Sequence, residues 1–195
     1  WLLTLRPDSR GTYDSLHSSW EKLESDKRTL LPTMVQDAMS LPKLPIPKLS
    51  VDEARAINNT LWKKIAVASA KPTSSDLDLM EAVVRDFPEG YHFNTLGVAQ
   101  YRAGNYEAVI ESCLKSVSLT VTQENLPAPY AGDFAFLAMS HFQRGNKVEA
   151  DRYRTQLTKT MLLDTFKDDE DCLGFVTEVD ALFSEDPAEN NLNSD

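Results

Sequence analysis

Glycine is scarce, 7 residues in 195, which tells against a glycine-rich β-architecture. Cysteine is scarcer. Cys113 and Cys172 stand 59 positions apart with no CxxC or Cys/His spacing, so no disulfide framework or zinc site is built. The expectation is two buried free thiols, a reducing compartment and a cytoplasmic location. No apolar run approaches the roughly 18 residues a membrane span needs. Basic charge is also in short supply, and its distribution is uneven. Residues 1–150 carry 16 Lys+Arg against 18 Asp+Glu, whereas residues 151–195 carry 4 against 12. Nearly all of the formal −10 therefore sits at the C-terminal end, where a phosphate backbone would be repelled, and no basic stripe elsewhere compensates. Nucleic acid is not an expected partner.

Catalytic signatures are missing too. There is no phosphate-cradling glycine loop, HRD, DFG, HExxH or EF-hand spacing, and so no cofactor, no metal and no enzymatic activity are expected. His17, His92 and His141 fall on different expected elements and read as core or surface polar residues rather than ligands. Ser112-Cys113-Leu114-Lys115 spells the SxxK string of serine hydrolases without any companion motif, which is a chance match. Asn58-Asn59-Thr60 is a glycosylation sequon in an expected helix and carries no weight.

What is present is 42% hydrophobic residues, enough for a core, in a chain the length of one domain or a short repeat array. Residues 12–31 read as an amphipathic helix: Tyr13, Leu16, Trp20, Leu23 and Leu30 recur at helical spacing, with Lys27 breaking the stripe. Pro32 suits the first turn of a second short helix to about Ser40. Pro42, Pro45 and Pro47 then impose an extended segment. It has the PxxP form of a ligand for an SH3-type groove. Its Leu and Ile content favours a stiff linker packed on neighbouring helices. Ser50 and Glu53 form a capping box for a helix to about Ala70 with Ala54, Ile57, Leu61, Ile65 and Ala68 on one face. A loop at 71–75 precedes a helix from Asp76 to Phe87, with Leu79, Ala82 and Val83 inward and Pro88 ending it. The chain begins at Trp1 rather than Met, so it is expected to be a piece of a longer protein or a processed product.

Two later stretches resemble each other. Tyr101-Arg102-Ala103-Gly104-Asn105 parallels Phe142-Gln143-Arg144-Gly145-Asn146, and Phe93-x-x-Leu96-Gly97 parallels Phe134-x-x-Leu137-Ala138. Each is a helix that ends at a glycine suited to a left-handed residue. A second helix follows each, Tyr106 to about Leu119 and Lys147 to about Leu163. Gly97 and Ala138 are small where two helices cross closely. Residues 168–171 are acidic and suit the start of a further helix, with Leu173, Val176, Val179 and Phe183 as its apolar side.

On these residues the chain resembles the tetratricopeptide repeat, a helix–turn–helix unit of about 34 residues with the pattern W-x2-L-G-x2-Y…A-x3-F…P. The first copy, about 90–121, has Phe93, Leu96 and Gly97, with Tyr101 one place late and Val109 and Cys113 replacing Ala and Phe. The second, about 131–164, has Phe134, Leu137, Ala138, His141 and Ala150, with Arg154 at the Phe position. Its glycine lies 41 residues after the first, so residues 120–130 form a lengthened loop, and residues 52–88 look like a degenerate earlier copy. The resemblance implies an all-α fold of about three antiparallel helical hairpins in a right-handed stack. Residues 1–50 would be N-terminal helices and linker, residues 51–184 the repeat domain with a final helix covering its apolar end face, and residues 185–195 an acidic disordered tail. The run from Phe93 to Gly104, Phe136 to Met139 and the closing helix are also similar to the repeat-bearing C-terminal regions attached to Ser/Thr kinase domains in some large bacterial proteins. That implies a bacterial multidomain parent.

The resemblance further implies a ligand surface. First helices of stacked hairpins line a concave groove, whose positions fall here at Asn94, Val98, Tyr101 and Arg102, then Ala135, Met139, Phe142 and Gln143. Ala135 and Met139 replace the charged and amide residues of a carboxylate clamp. The groove then suits an extended or helical peptide, and the expected function is a non-catalytic protein-interaction or scaffolding module. The alternative is a structural spacer whose groove residues 1–50 fill.

Overall fold

In the computed structural model, residues 45–121 and 129–184 are described. The chain divides into two units, residues 1–45 and 46–195, and only the second is treated below. The expected helices at 12–31 and 32–40, the middle of the 120–130 loop and the expected tail at 185–195 lie outside the described residues. Among the described residues the fold is all-helical, with seven helices and no strand. No helix among them is long and apolar enough to cross a membrane.

Helix α1 spans Val51–Ile65. Ser50 caps it, the Ser50 hydroxyl accepting the Glu53 N–H and the Glu53 carboxylate accepting the Ser50 N–H, as the capping box predicts. The expected extension to Ala70 does not occur. Ala54, Leu61 and Ile65 are buried, but Ala68 is exposed, so the buried stripe of the helix stops at Ile65.

Helix α2 spans Ser74–Asp86, two residues longer at its start than expected. The reason is a second capping box: Thr73 is the N-cap, and Asp76 is its third residue rather than its first. Met80, Ala82 and Val83 are buried and Leu79 only half-buried. The segment before α1 is held against α2. Leu49 N–H donates to Asp86 Oδ2 at 2.8 Å, and Arg85 donates to the carbonyls of Ile46 and Pro47. The neighbouring Arg85 guanidinium and the Leu49 N–H hold the Asp86 carboxyl down at about 2. Leu49 packs on the core.

Helices α3 (Gly90–Arg102) and α4 (Tyr106–Val121), then α5 (Ala131–Gln143) and α6 (Lys147–Met161), form two pairs, each joined by a three-residue turn. The two turns are the same structure. Gly104 and Gly145 have φ of 81° and 76°. Asn105 N–H reaches Gln100 O and Gly104 N–H reaches Tyr101 O, while Asn146 and Gly145 repeat both bonds to His141 and Phe142. This pair of bonds satisfies the last helix carbonyls and needs a left-handed residue at the glycine. At the α3–α4 crossing a Cβ on Gly97 would lie 2.6 Å from Cys113 Sγ, so any larger residue requires the buried Cys113 side chain to move. Ala138, its counterpart, is fully buried. Packing also runs from α1 to α2 and α3, from α2 to α3, and from α4 to α5.

Helix α7 spans Glu170–Ser184. Cys172, Phe175, Val179 and Phe183 are its buried stripe. Leu173, expected inward, is 47% exposed, because the stripe that meets the other helices is centred on Phe175 and Val179, and Leu173 lies off it.

Candidate functional site

Helix α7 packs chiefly on α5 and only at its edge on α6. It packs on α5 through Phe136 and Phe142, and reaches the ends of α1 and α3 through single side chains, Asp171 to Trp62 and Glu178 to Arg102. Of the candidate groove residues, Arg102 and Phe142 lie against it.

Arg102 is the centre of this arrangement. Its guanidinium forms a two-pronged ion pair with Glu178, Nη2 to Oε1 being 2.7 Å and Nη1 pairing with Oε2. Nε donates to the carbonyl of Ile65 at the end of α1, 3.2 Å away. The guanidinium also sits over the Phe136 ring, 5.3 Å from its centroid. Its side chain is 3% exposed. Such planar, multidentate pairing is what arginine offers and lysine does not. The Phe142 ring meets Phe183 at 4.6 Å, Phe136 meets Phe175 at 4.9 Å, and Trp62 Nε1 donates to Asp171 Oδ2 at 2.9 Å.

The remaining candidates separate into three groups. Val98, Ala135 and Met139 are buried in the core. Tyr101 is half-buried with its ring 5.2 Å from Phe136; burial, aided by Tyr106 and Glu178, pushes its hydroxyl up to about 12, and Gln143 hydrogen-bonds to it. Gln143 itself is exposed. Asn94 points the other way along the helix, into a buried polar cluster. Among the candidates, Arg102 and Phe142 meet residues 170–184 of this same chain; of residues 1–50, the expected filler, only 45–50 are described, and Leu49 there bonds to Asp86 of α2.

The cluster around Asn94 was not foreseen. Asp133, in α5, is completely buried. Its carboxyl accepts from Asn94 Nδ2 and Ser116 Oγ, each at 2.8 Å. Burial pushes it up to about 7, against the opposing effect of hydrogen bonds from Asn94, Ser116 and Cys113. The one signal in the sequence was an acid standing among Ala131, Gly132, Phe134 and Ala135, where a buried carboxylate needs dedicated donors.

Beside this cluster opens a cleft of about 450 Å³. Trp62, Tyr91, Tyr130 and Phe166 give it aromatic walls, and Asn58, Asn94, Ser116 and Thr120 are among its polar lining. Trp62 and Tyr130 meet edge to face at 6.2 Å, and Tyr130 and Phe166 at 5.8 Å. Asn58, the sequon residue, is buried here rather than free to carry a glycan.

The other chemical candidates are occupied structurally. His92 Nδ1 is 2.8 Å from Phe87 O, and burial lowers the pKa of its ring. His141 stacks on Tyr153 at 5.4 Å. Ser112 donates to Gln100 Oε1. Cys113 and Cys172 are buried free thiols, both pushed up chiefly by burial, Cys172 to about 12. Among the described residues no group of His, Cys, Asp and Glu could hold a metal ion. No protein-family model, curated protein or solved structure matches the chain.

Proposed function

We propose that the chain is a non-catalytic protein-interaction module of the tetratricopeptide type, whose ligand face is occupied by its own C-terminal helix. The observation that carries this reading is α7 itself: an amphipathic helix packed on α5, anchored to α3 by the Arg102–Glu178 pair and to α5 by Phe183 on Phe142. A helix laid in a groove by spaced apolar anchors is one of the standard modes of peptide recognition. Two identical glycine turns and the small residues Gly97 and Ala138 support the repeat reading. A larger bacterial parent rests on the sequence resemblance alone, and a cytoplasmic place on the two free cysteines.

The test is exchange in trans. A full chain carrying Glu178→Ala and Phe183→Ala should hold α7 loosely and take up a labelled peptide with the sequence of residues 168–184, while the intact chain takes up little. Circular dichroism checks that the helices remain. A second reading follows from the deep burial of Arg102 and Met139: the face is permanent core and the chain is a spacer. Outright unfolding of the double variant, or a folded variant that refuses the peptide, would favour the spacer.

A further inference from the structure

The cleft beside Asp133 carries one charged lining residue, and it is positive. No acid lines it, and Lys63, exposed at its edge, has no acidic partner among the described residues. Hydrogen-bond donors are in surplus beside that charge. Asn58 and Asn94 each spend one amide N–H on the protein, on Asn59 and Asp133, and keep a second. Asn59, also exposed, is engaged through its oxygen and keeps both N–H groups. Helix α3 begins in the same wall. Its first two residues, Gly90 and Tyr91, line the cleft, its N-cap Glu89 supplies no side-chain cap, and their N–H groups find no acceptor among the described residues. A helix start of this kind favours negative charge. The rest of the wall is ring surface. Trp62, Tyr130 and Phe166 stand edge to face in a row, their centroids 6.2 and 5.8 Å apart. Two of their polar tips are already engaged, Trp62 Nε1 with Asp171 and the Tyr130 hydroxyl with Cys172, so these rings offer a ligand carbon alone.

We propose that this cleft binds a small aromatic carboxylic acid, its ring against Trp62, Tyr130 and Phe166 and its carboxylate on Lys63 and the neighbouring N–H groups. A carboxylate accepts only, which is what a charge and a surplus of donors call for. One ammonium balances one negative charge, whereas a phosphate monoester would bring about two. An aromatic ring continues the edge-to-face row, a contact that an alkyl chain does not make. A volume of about 450 Å³ is that of a small-molecule site. Two acids stand near. Asp133 lies behind Asn94 and Ser116, and burial pushes it up to about 7, so it carries only part of its charge at neutral pH. Glu89 is exposed, where water and salt screen it. The inference needs the cleft and not α7, and so stands apart from the interaction reading above.

Calorimetry titrates the full chain with naphthylacetate, its primary amide, the corresponding naphthyl amine and the saturated-ring acid. The acid should bind at one site per chain, and the amide about three- to fivefold more weakly for loss of an exposed ion pair. The amine and the saturated acid should also bind more weakly than the aromatic acid. Lys63→Gln, an exposed substitution whose helicity circular dichroism checks, should weaken the acid by the same factor and leave the amide unchanged. Nuclear Overhauser contacts should run from the naphthyl protons to the Trp62 ring. No saturable binding of the acid, an amide or amine that binds as tightly, indifference to Lys63→Gln, or ring contacts only outside the cleft would each overturn the proposal.

Discussion

Arg102 of α3 and Glu178 of α7 close a two-pronged ion pair in which the arginine side chain is 3% exposed and the glutamate 18%. A pair this dry costs much to desolvate and more to break from one side, because the survivor is left charged and buried. Glu178→Ala should therefore destabilise the chain by about 2–4 kcal/mol, near the low end of buried-pair losses because Glu178 retains some water. The double variant Arg102→Met, Glu178→Leu should cost less than the glutamate substitution alone. Urea unfolding of the three chains measures both, and a double variant weaker than the single would show that the pair stabilises in its own right.

At the α3–α4 crossing even one methyl is too many. A Cβ on Gly97 would meet Cys113 Sγ at 2.6 Å, so Gly97→Ala should cost about 1–3 kcal/mol and Gly97→Leu at least as much. Adding Cys113→Ala should recover part of the loss in the Gly97→Ala chain. Thermal melts of the single and double variants decide it; an unchanged melting temperature for Gly97→Leu means the crossing is not close.

Gly104 and Gly145 are restricted differently. Nothing lies within 4 Å of a Cβ at either position, but both have positive φ. Alanine should cost about 1–2 kcal/mol at each from backbone strain alone, and asparagine less. The two losses should also match one another, since the hydrogen bonds of the two turns are the same.

Asp133 predicts a pH dependence of a particular sign. Its folded pKa is raised from 3.8 to about 7, so the folded state binds the proton more tightly than the unfolded chain. Its contribution to stability is fully present below about 3.8 and is lost as pH rises through about 7. His92 and His141, both lowered by burial, act in the opposite sense, losing stability as pH falls below their ordinary value. The readout is thus the difference between the native chain and Asp133→Asn, measured by denaturation at several pH values. That difference should shift in favour of Asp133→Asn between acid and neutral pH, and a flat difference would mean the carboxyl titrates normally.

The helix starts at Ser50 and the turns at Gly104 and Gly145 were legible because capping chemistry and left-handed glycines act over four or five residues, and the pattern contains all the partners. The start of α2 was missed for lack of one local reading, that Thr73 and Asp76 are a box in which aspartate does the work of glutamate. The end of α1 and the outward turn of Leu173 were not local questions: each depends on whether another helix is there to be packed against. The same holds for the groove. Periodicity put an apolar stripe on α7, but a stripe says only that the helix must be covered, not by what. Glu178 finds Arg102 across 76 positions and Trp62 finds Asp171 across 109, and nothing in either neighbourhood encodes the meeting. Asp133 is the sharpest case: its isolation among apolar residues was visible, while the donors from Asn94 and Ser116 that make its burial tolerable came together only when α3, α4 and α5 packed.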